Sequence, residues 1–245
     1  MPSEEGVSTG MSVLPILGLG EVRAGDDLAV LLASAMRAEG SPSLADSDVV
    51  VVTQKVVSKA EGAVVELAGS DPAAKEALVR SQSVRVLRRR GELLITETRH
   101  GFVCANAGVD LSNVQDGWAV LLPADPDRSA RRIAAGLERA TGRKVGVIVS
   151  DTFGRTWRRG VTDVAIGCAG VAAVIDLRGT TDALGRELVA TEVCVADEIA
   201  AAAELVMGKD RSIPAAIVRG LPQTWRRPSS VAQEIVRTPA EDLFR

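Results

Sequence analysis

The chain has 245 residues, 46% of them hydrophobic, which is enough for one large domain or two modest ones with a real core. Its 29 basic and 32 acidic side chains leave a formal charge of −3, which excludes a nucleic-acid binder working through bulk positive charge. Aromatic residues make up only 2% and tyrosine is absent, so the stacking platforms of single-stranded nucleic-acid binders are missing too.

Cys104, Cys168 and Cys194 are odd in number and far apart, which implies neither a disulfide framework nor a zinc knuckle and points to a reducing cytoplasm. Residues 1–10 read as a loose tail. The apolar stretch after them, "MSVLPILGLG", is broken by Pro15, Gly18 and Gly20 and fits neither a signal peptide nor a membrane span.

In chain order, the pattern predicts a helix over 26–39, a strand over 48–58, a helix over 72–90 and a strand over 92–98. Residues 106–113, "NAGVDLSN", carry no period and read as a loop. A helix over 126–141 opens with "DPDRS" and closes at Gly142, both good capping chemistry. Strands follow over 144–150, 171–177 and 187–196. The next helix spans 197–208, with Asp197 as its cap, Ile199, Ala203 and Val206 on one face, and Gly208 as its stop. A last strand covers 215–220. The irregular mixture favours an α+β fold with mixed sheets and flanking helices. No repeat or long linker divides 11–245, so any subdomains are intimately connected within one domain.

The chemistry gathers in "SDTFGRTWRRG", at the end of a predicted strand. Asp151 and Thr152 are hard oxygen ligands for Mg²⁺ or Mn²⁺, and Arg155, Arg158 and Arg159 are forked donors for phosphate or carboxylate. Together they suggest a metal-held phosphate; the alternative is a solvated turn. Standard nucleotide fingerprints fail, because "GLGEVRAG" lacks a third glycine at the required spacing and "MGKD" lacks the rest of a P-loop. Asp110 and Asn113 in "GVDLSN" form a second acid-plus-amide cluster that either meets the first or makes a local Asx-turn. Lys55 and Lys59 are solvated lysines or phosphate contacts. His100, the single histidine, reads as a structural hydrogen bonder.

These segments, with "LPILGLGEVRAGDDL", "DVVVVTQKVVSKAEG", "ITETRHGFVCANAGVDLSNV", "RGTTDALGRELVATEVCVADEIAAAAELVMGK" and "IPAAIVRG", resemble the coenzyme F420 gamma-glutamyl ligase (CofE-type) family over nearly the whole chain. The resemblance implies a cytoplasmic, homodimeric ligase that uses GTP and Mg²⁺ or Mn²⁺, two ions in all, to join L-glutamate to a deazaflavin precursor. It implies no nucleic-acid or membrane partner. Asp110 and Asp151 would hold one ion, Thr152 a second, and Arg155 would clamp an anion during the chemistry. Leu19, Gly20, Glu21, Val22, Gln54, Lys59, Asn113, Met207, Gly208 and Lys209 would line the GTP site. Family members often carry an acid where this chain has Lys209; a lysine there is expected to turn away from the second ion toward nucleotide phosphate. In actinobacteria such ligases are commonly followed by a flavin-binding domain, and "EDLFR" ends about where that half would begin. The same scaffold could serve a ligase acting on another carboxylate, a metal-dependent nucleotide phosphohydrolase, or a nucleotide sensor without chemistry.

Overall fold

The computed structural model describes residues 10–67, 72–112 and 115–244. The expected tail, apart from Gly10, and Asn113, an expected nucleotide contact, lie outside them. Its first part runs β1 (Ser12–Pro15), α1 (Leu28–Ala35), β2 (Val49–Thr53), α2 (Gln54–Ala60) and β3 (Val64–Glu66). Next come α3 (Pro72–Ser81), β4 (Ser83–Arg90), β5 (Leu93–Thr98), β6 (Val103–Ala105) and β7 (Trp118–Val120). The remainder is α4 (Pro126–Thr141), β8 (Gly146–Gly154), β9 (Val161–Ala169), β10 (Ile175–Asp176), β11 (Glu192–Val193), α5 (Val195–Met207), β12 (Ala215–Arg219) and α6 (Val231–Glu234). The fold is α+β, as the sequence predicts.

A five-stranded sheet ordered β1-β12-β2-β8-β9 forms the centre, antiparallel except for the β2–β8 pair. Val49–Val52 and Gly146–Ser150 are buried at every consecutive position, so both faces of these strands are covered, and valine suits such positions. Helices α1, α4 and α5 supply the cover and share one large apolar core with the sheet. A second, smaller core of Val79, Leu94, Ala107, Val109 and Ala119 joins α3 to the β4-β5-β6 sheet and the β3–β7 ribbon.

The free edge of β9 is protected by two helix acids. Asp127 Oδ1 accepts from the Cys168 N–H at 2.9 Å and Asp197 Oδ1 from the Ala165 N–H at 2.9 Å, which satisfies amides that would otherwise invite another strand. Asp127 also accepts from Ser230, Val231 and Ala232, tying the C-terminal segment to the same place. Close approach of α4 to β9 requires glycine: a Cβ on Gly167 would stand 2.3 Å from the carbonyl carbon and oxygen of Pro126.

Several expected elements come out differently. The run over 48–58 is a strand only to Thr53, after which α2 starts at once; the β-branched Val56 and Val57 imitate a strand. The helix expected over 72–90 stops at Ser81, and "SVRVLRRR" pairs with β5, with Arg85 and Glu97 2.6 Å apart across the strands. Of 171–177 and 187–196, only two residues each are strand; Val171, Ala172 and Ala173 are buried irregular chain. Strand β9 was not expected, because burial on both faces erases its alternation. Helix α5 starts at Val195, so Asp197 sits inside its first turn and serves β9 instead of capping. Helix α4 matches its expected bounds: Asp125 accepts from the Arg128 N–H at 2.8 Å and Gly142 closes the helix at φ 72°.

Replacing Gly167 with alanine tests the α4–β9 approach. The added methyl meets backbone that cannot rotate away, so we expect a loss of about 2–3 kcal/mol in denaturant unfolding. Gly154→Ala, with nothing within 4 Å of its Cβ, is the control and should change stability by less than about 0.5 kcal/mol. Equal effects of the two would contradict the packing argument.

Candidate functional site

Strand β2 ends at Thr53, opposite Ser150, and β8 runs on past it as far as Gly154, carrying Asp151 and Thr152. A register shift after Val149 leaves an extra residue on β9 and sets Thr152 directly across from Asp163. Asp163 is 1% exposed. Its carboxylate accepts from Thr152 Oγ1 at 2.6 Å and from Ser150 Oγ at 2.9 Å, two hydroxyls that alternation places on one face of β8. Asp151 projects from the other face together with Phe153, whose ring meets Phe102 edge-on.

Asp110 comes from the smaller core. It follows the turn of Asn106–Gly108, where Ala107 adopts φ 54°, and is pinned by a bridge to Val120. Lys55 Nζ lies 2.8 Å from Asp110 Oδ2 and donates to Ser112 Oγ at 2.7 Å. The Ser112 N–H donates to Asp110 Oδ1 at 2.7 Å, so the local Asx-turn forms. Of the two sequence alternatives for Asp110, this is the one its hydrogen bonds show; its link to the first cluster is the charge that Asp151 feels.

Asp151 feels the other two carboxylates. Burial pushes the Asp151 carboxyl up to about 7; the charges of Asp163 and Asp110 add to the rise, while the Thr152 N–H and Lys209 oppose it. Burial would raise Asp110 as well, but its bonds to Lys55 and Ser112 outweigh that and hold it below the ordinary range. Of these causes, burial penalises charge of either sign, whereas the Asp163 and Asp110 charges favour a cation.

Lys209 follows Gly208, which ends α5 at φ 63°, and its ammonium turns into the cluster. It donates to Thr152 Oγ1 and lies 3.0 Å from Asp163 Oδ1 and 3.2 Å from Glu204 Oε1. The buried Asp163 draws it in, so it stands beside Thr152. Asp163 itself is the residue the sequence reading missed. Its only signal was an acid inside an apolar run, "VTDVAIG", a few residues beyond the arginine-rich turn.

The other candidates divide. Lys59 pairs with Glu21 at 2.8 Å, bringing α2 to the segment of Leu19, Gly20 and Glu21. Val22 and Met207 are buried in the larger core. Gln54 is buried and donates to Ser58 Oγ and the Leu121 carbonyl. Arg155 is exposed at the β8–β9 hairpin tip with Arg158 and Arg159, and donates to the Arg159 carbonyl. Among the described residues, no three His, Cys, Asp or Glu side chains stand close enough to share an ion.

His100 is structural, as its isolation suggests. Nε2 reaches the carbonyl of Pro123 at 2.9 Å, the ring stacks on Phe102, and Nδ1 is buried without a partner.

A family model described as F420-0:Gamma-glutamyl ligase matches residues 17–220. The chain is also similar to proteins named Coenzyme F420:L-glutamate ligase. The one from Methanothermobacter thermautotrophicus is 44% identical, with 96% of this chain and 99% of the relative covered. That of Methanopyrus kandleri is 44% identical over 92% of this chain and 94% of the relative, and that of Archaeoglobus fulgidus 42% over 96% of each.

His100 yields a pH prediction. Burial first, then the charge of Arg99, holds the imidazole below its ordinary range, although the Pro123 and Ala124 carbonyls pull it back. The unfolded chain then binds a proton near pH ~6.5 that the folded chain refuses, so this residue's contribution is complete above that pH and lost as pH falls toward the folded value. Thermal midpoints taken well above and below that pH should drop further in the wild type than in His100→Gln. Equal drops would contradict the assignment.

Proposed function

The chain belongs to the F420-0:Gamma-glutamyl ligase family, and from that premise we propose that it ligates L-glutamate to the carboxylate of a deazaflavin coenzyme F420 precursor, with GTP as phosphoryl donor. The observation that carries the reading is the Asp151 carboxyl, raised by burial and by the charges of Asp163 and Asp110, beside the Thr152–Asp163 hydrogen bond on β8.

A carboxylate is a poor acyl donor. One of its oxygens attacks the γ-phosphorus of GTP, the bond to the bridging oxygen breaks, GDP leaves, and an acyl phosphate remains. The uncharged amine of glutamate then attacks the acyl carbon, the bond to phosphate breaks, and the amine proton passes to solvent. Further glutamates follow through gamma linkages. No protein nucleophile is needed.

The hard-oxygen donors fit Mg²⁺ or Mn²⁺, and a set too sparse to enclose an ion suits one whose shell is completed by phosphate oxygens and water. Asp110 and Asp151 would hold it, and bound there it would neutralise charge that develops during phosphoryl transfer. Asp163 fixes the Thr152 hydroxyl. Leu19–Val22, Gln54, Lys59, Asn113 and Met207–Lys209 belong to the nucleotide side, and Arg155 to an anionic group of a substrate. We read the chain as a cytoplasmic homodimer. Its three cysteines are free, and among the described residues no helix is long and apolar enough to cross a membrane.

Phosphate release from GTP tests this reading. It should require precursor and glutamate together, with a product one glutamyl unit heavier by mass spectrometry. Steady release with water alone would instead make the chain a phosphohydrolase.

A further inference from the structure

The end of β8 presents two places for positive charge, one on each face of the strand. On one face stands Asp151, which feels the charge of Asp110. On the other, Thr152, Asp163 and Glu204 surround the Lys209 ammonium.

The two places hold their lysines differently. Asp110 keeps 35% of its side chain exposed, so water or another cation can replace Lys55 at little cost. Asp163 is 1% exposed, and a buried carboxylate that loses its cation is left unpaired. Its two hydroxyl donors supply hydrogen bonds but no formal charge. Lys209 also stands just beyond the C-terminal end of α5, where unpaired carbonyls favour a cation. The buried Met207 anchors the preceding turn, and Gly208 lets the chain double back.

We propose that the Lys209 ammonium is the resident cation of the Thr152–Asp163 face, so that this chain takes a single divalent ion, at Asp110 and Asp151. Hard-oxygen ligands at Thr152 and Asp163 would suit a second ion, but the ammonium already occupies their hydrogen-bonding positions and repels a divalent charge there. Unlike an ion, this cation is part of the chain and does not dissociate with product. The inference rests on the metal reading of the site made above.

Bound Mn²⁺ is counted by equilibrium dialysis, with one equivalent of GDP, for wild type, Lys209→Glu and Lys209→Gln. Wild type should hold one ion per chain. Lys209→Glu, which supplies an oxygen ligand in place of the ammonium, should hold two. Lys209→Gln keeps most of the length without the charge and guards against misfolding of the glutamate variant; it should bind a second ion at least about tenfold more tightly than wild type, a difference of about 1.4 kcal/mol. Two ions in wild type, or one ion in both variants, would overturn the role of Lys209 and leave the metal reading standing. No bound ion in any of the three would overturn the metal reading, and this inference with it.

Discussion

Like charge crowded into a partly dry place is the constraint on which this molecule turns. Asp151 feels the charges of both Asp110 and Asp163, and carboxylates so placed need compensation. Lys55 answers Asp110, Lys209 answers Asp163, and two hydroxyls satisfy the remaining lone pairs of Asp163. Asp151 has a backbone N–H from Thr152 but no lysine within ion-pair distance among the described residues, which is why its carboxyl is the one driven upward.

The fold delivers these groups from both cores. Asp151 and Asp163 are neighbours because β8 and β9 form a hairpin in the larger sheet, and the register shift at Val149 decides which side chains face each other. Asp110 arrives on the turn that closes the smaller core, and Lys55 arrives because α2 begins where β2 ends. Helix α5 contributes at both ends: Asp197 protects the β9 edge near its start, and Lys209 meets the cluster beyond its finish. Movement of either core relative to the other would therefore change the distance between Asp110 and Asp151 before it changed the Thr152–Asp163 pair.

Much of this was legible in the sequence where one local rule acts alone. Asp125 and Gly142 mark both ends of α4 because caps are local chemistry, and "SDT" set a carboxylate and a hydroxyl side by side at a strand the pattern had found. Legibility failed where tertiary burial overrides local pattern. Helix α2 was hidden by the valines it needs against the sheet, β4 by arginines that make a helical and an extended reading equally polar, and β9 by burial on both faces. Asp163 was missed for that last reason: within an unrecognised strand, an acid has no assigned direction. Lys209 was recognised as unusual, yet its orientation depended on Asp163 and could not be read without it.

The central claim is that Asp110 and Asp151, from different cores, serve one ion and one phosphoryl transfer. A double-mutant cycle on turnover with Asp110→Asn and Asp151→Asn tests it most directly. Each single change should cost at least about 100-fold with the fold intact, and the double variant should fall within about tenfold of the worse single, since a site lost once cannot be lost again. Losses that multiply would show two independent roles and contradict the account.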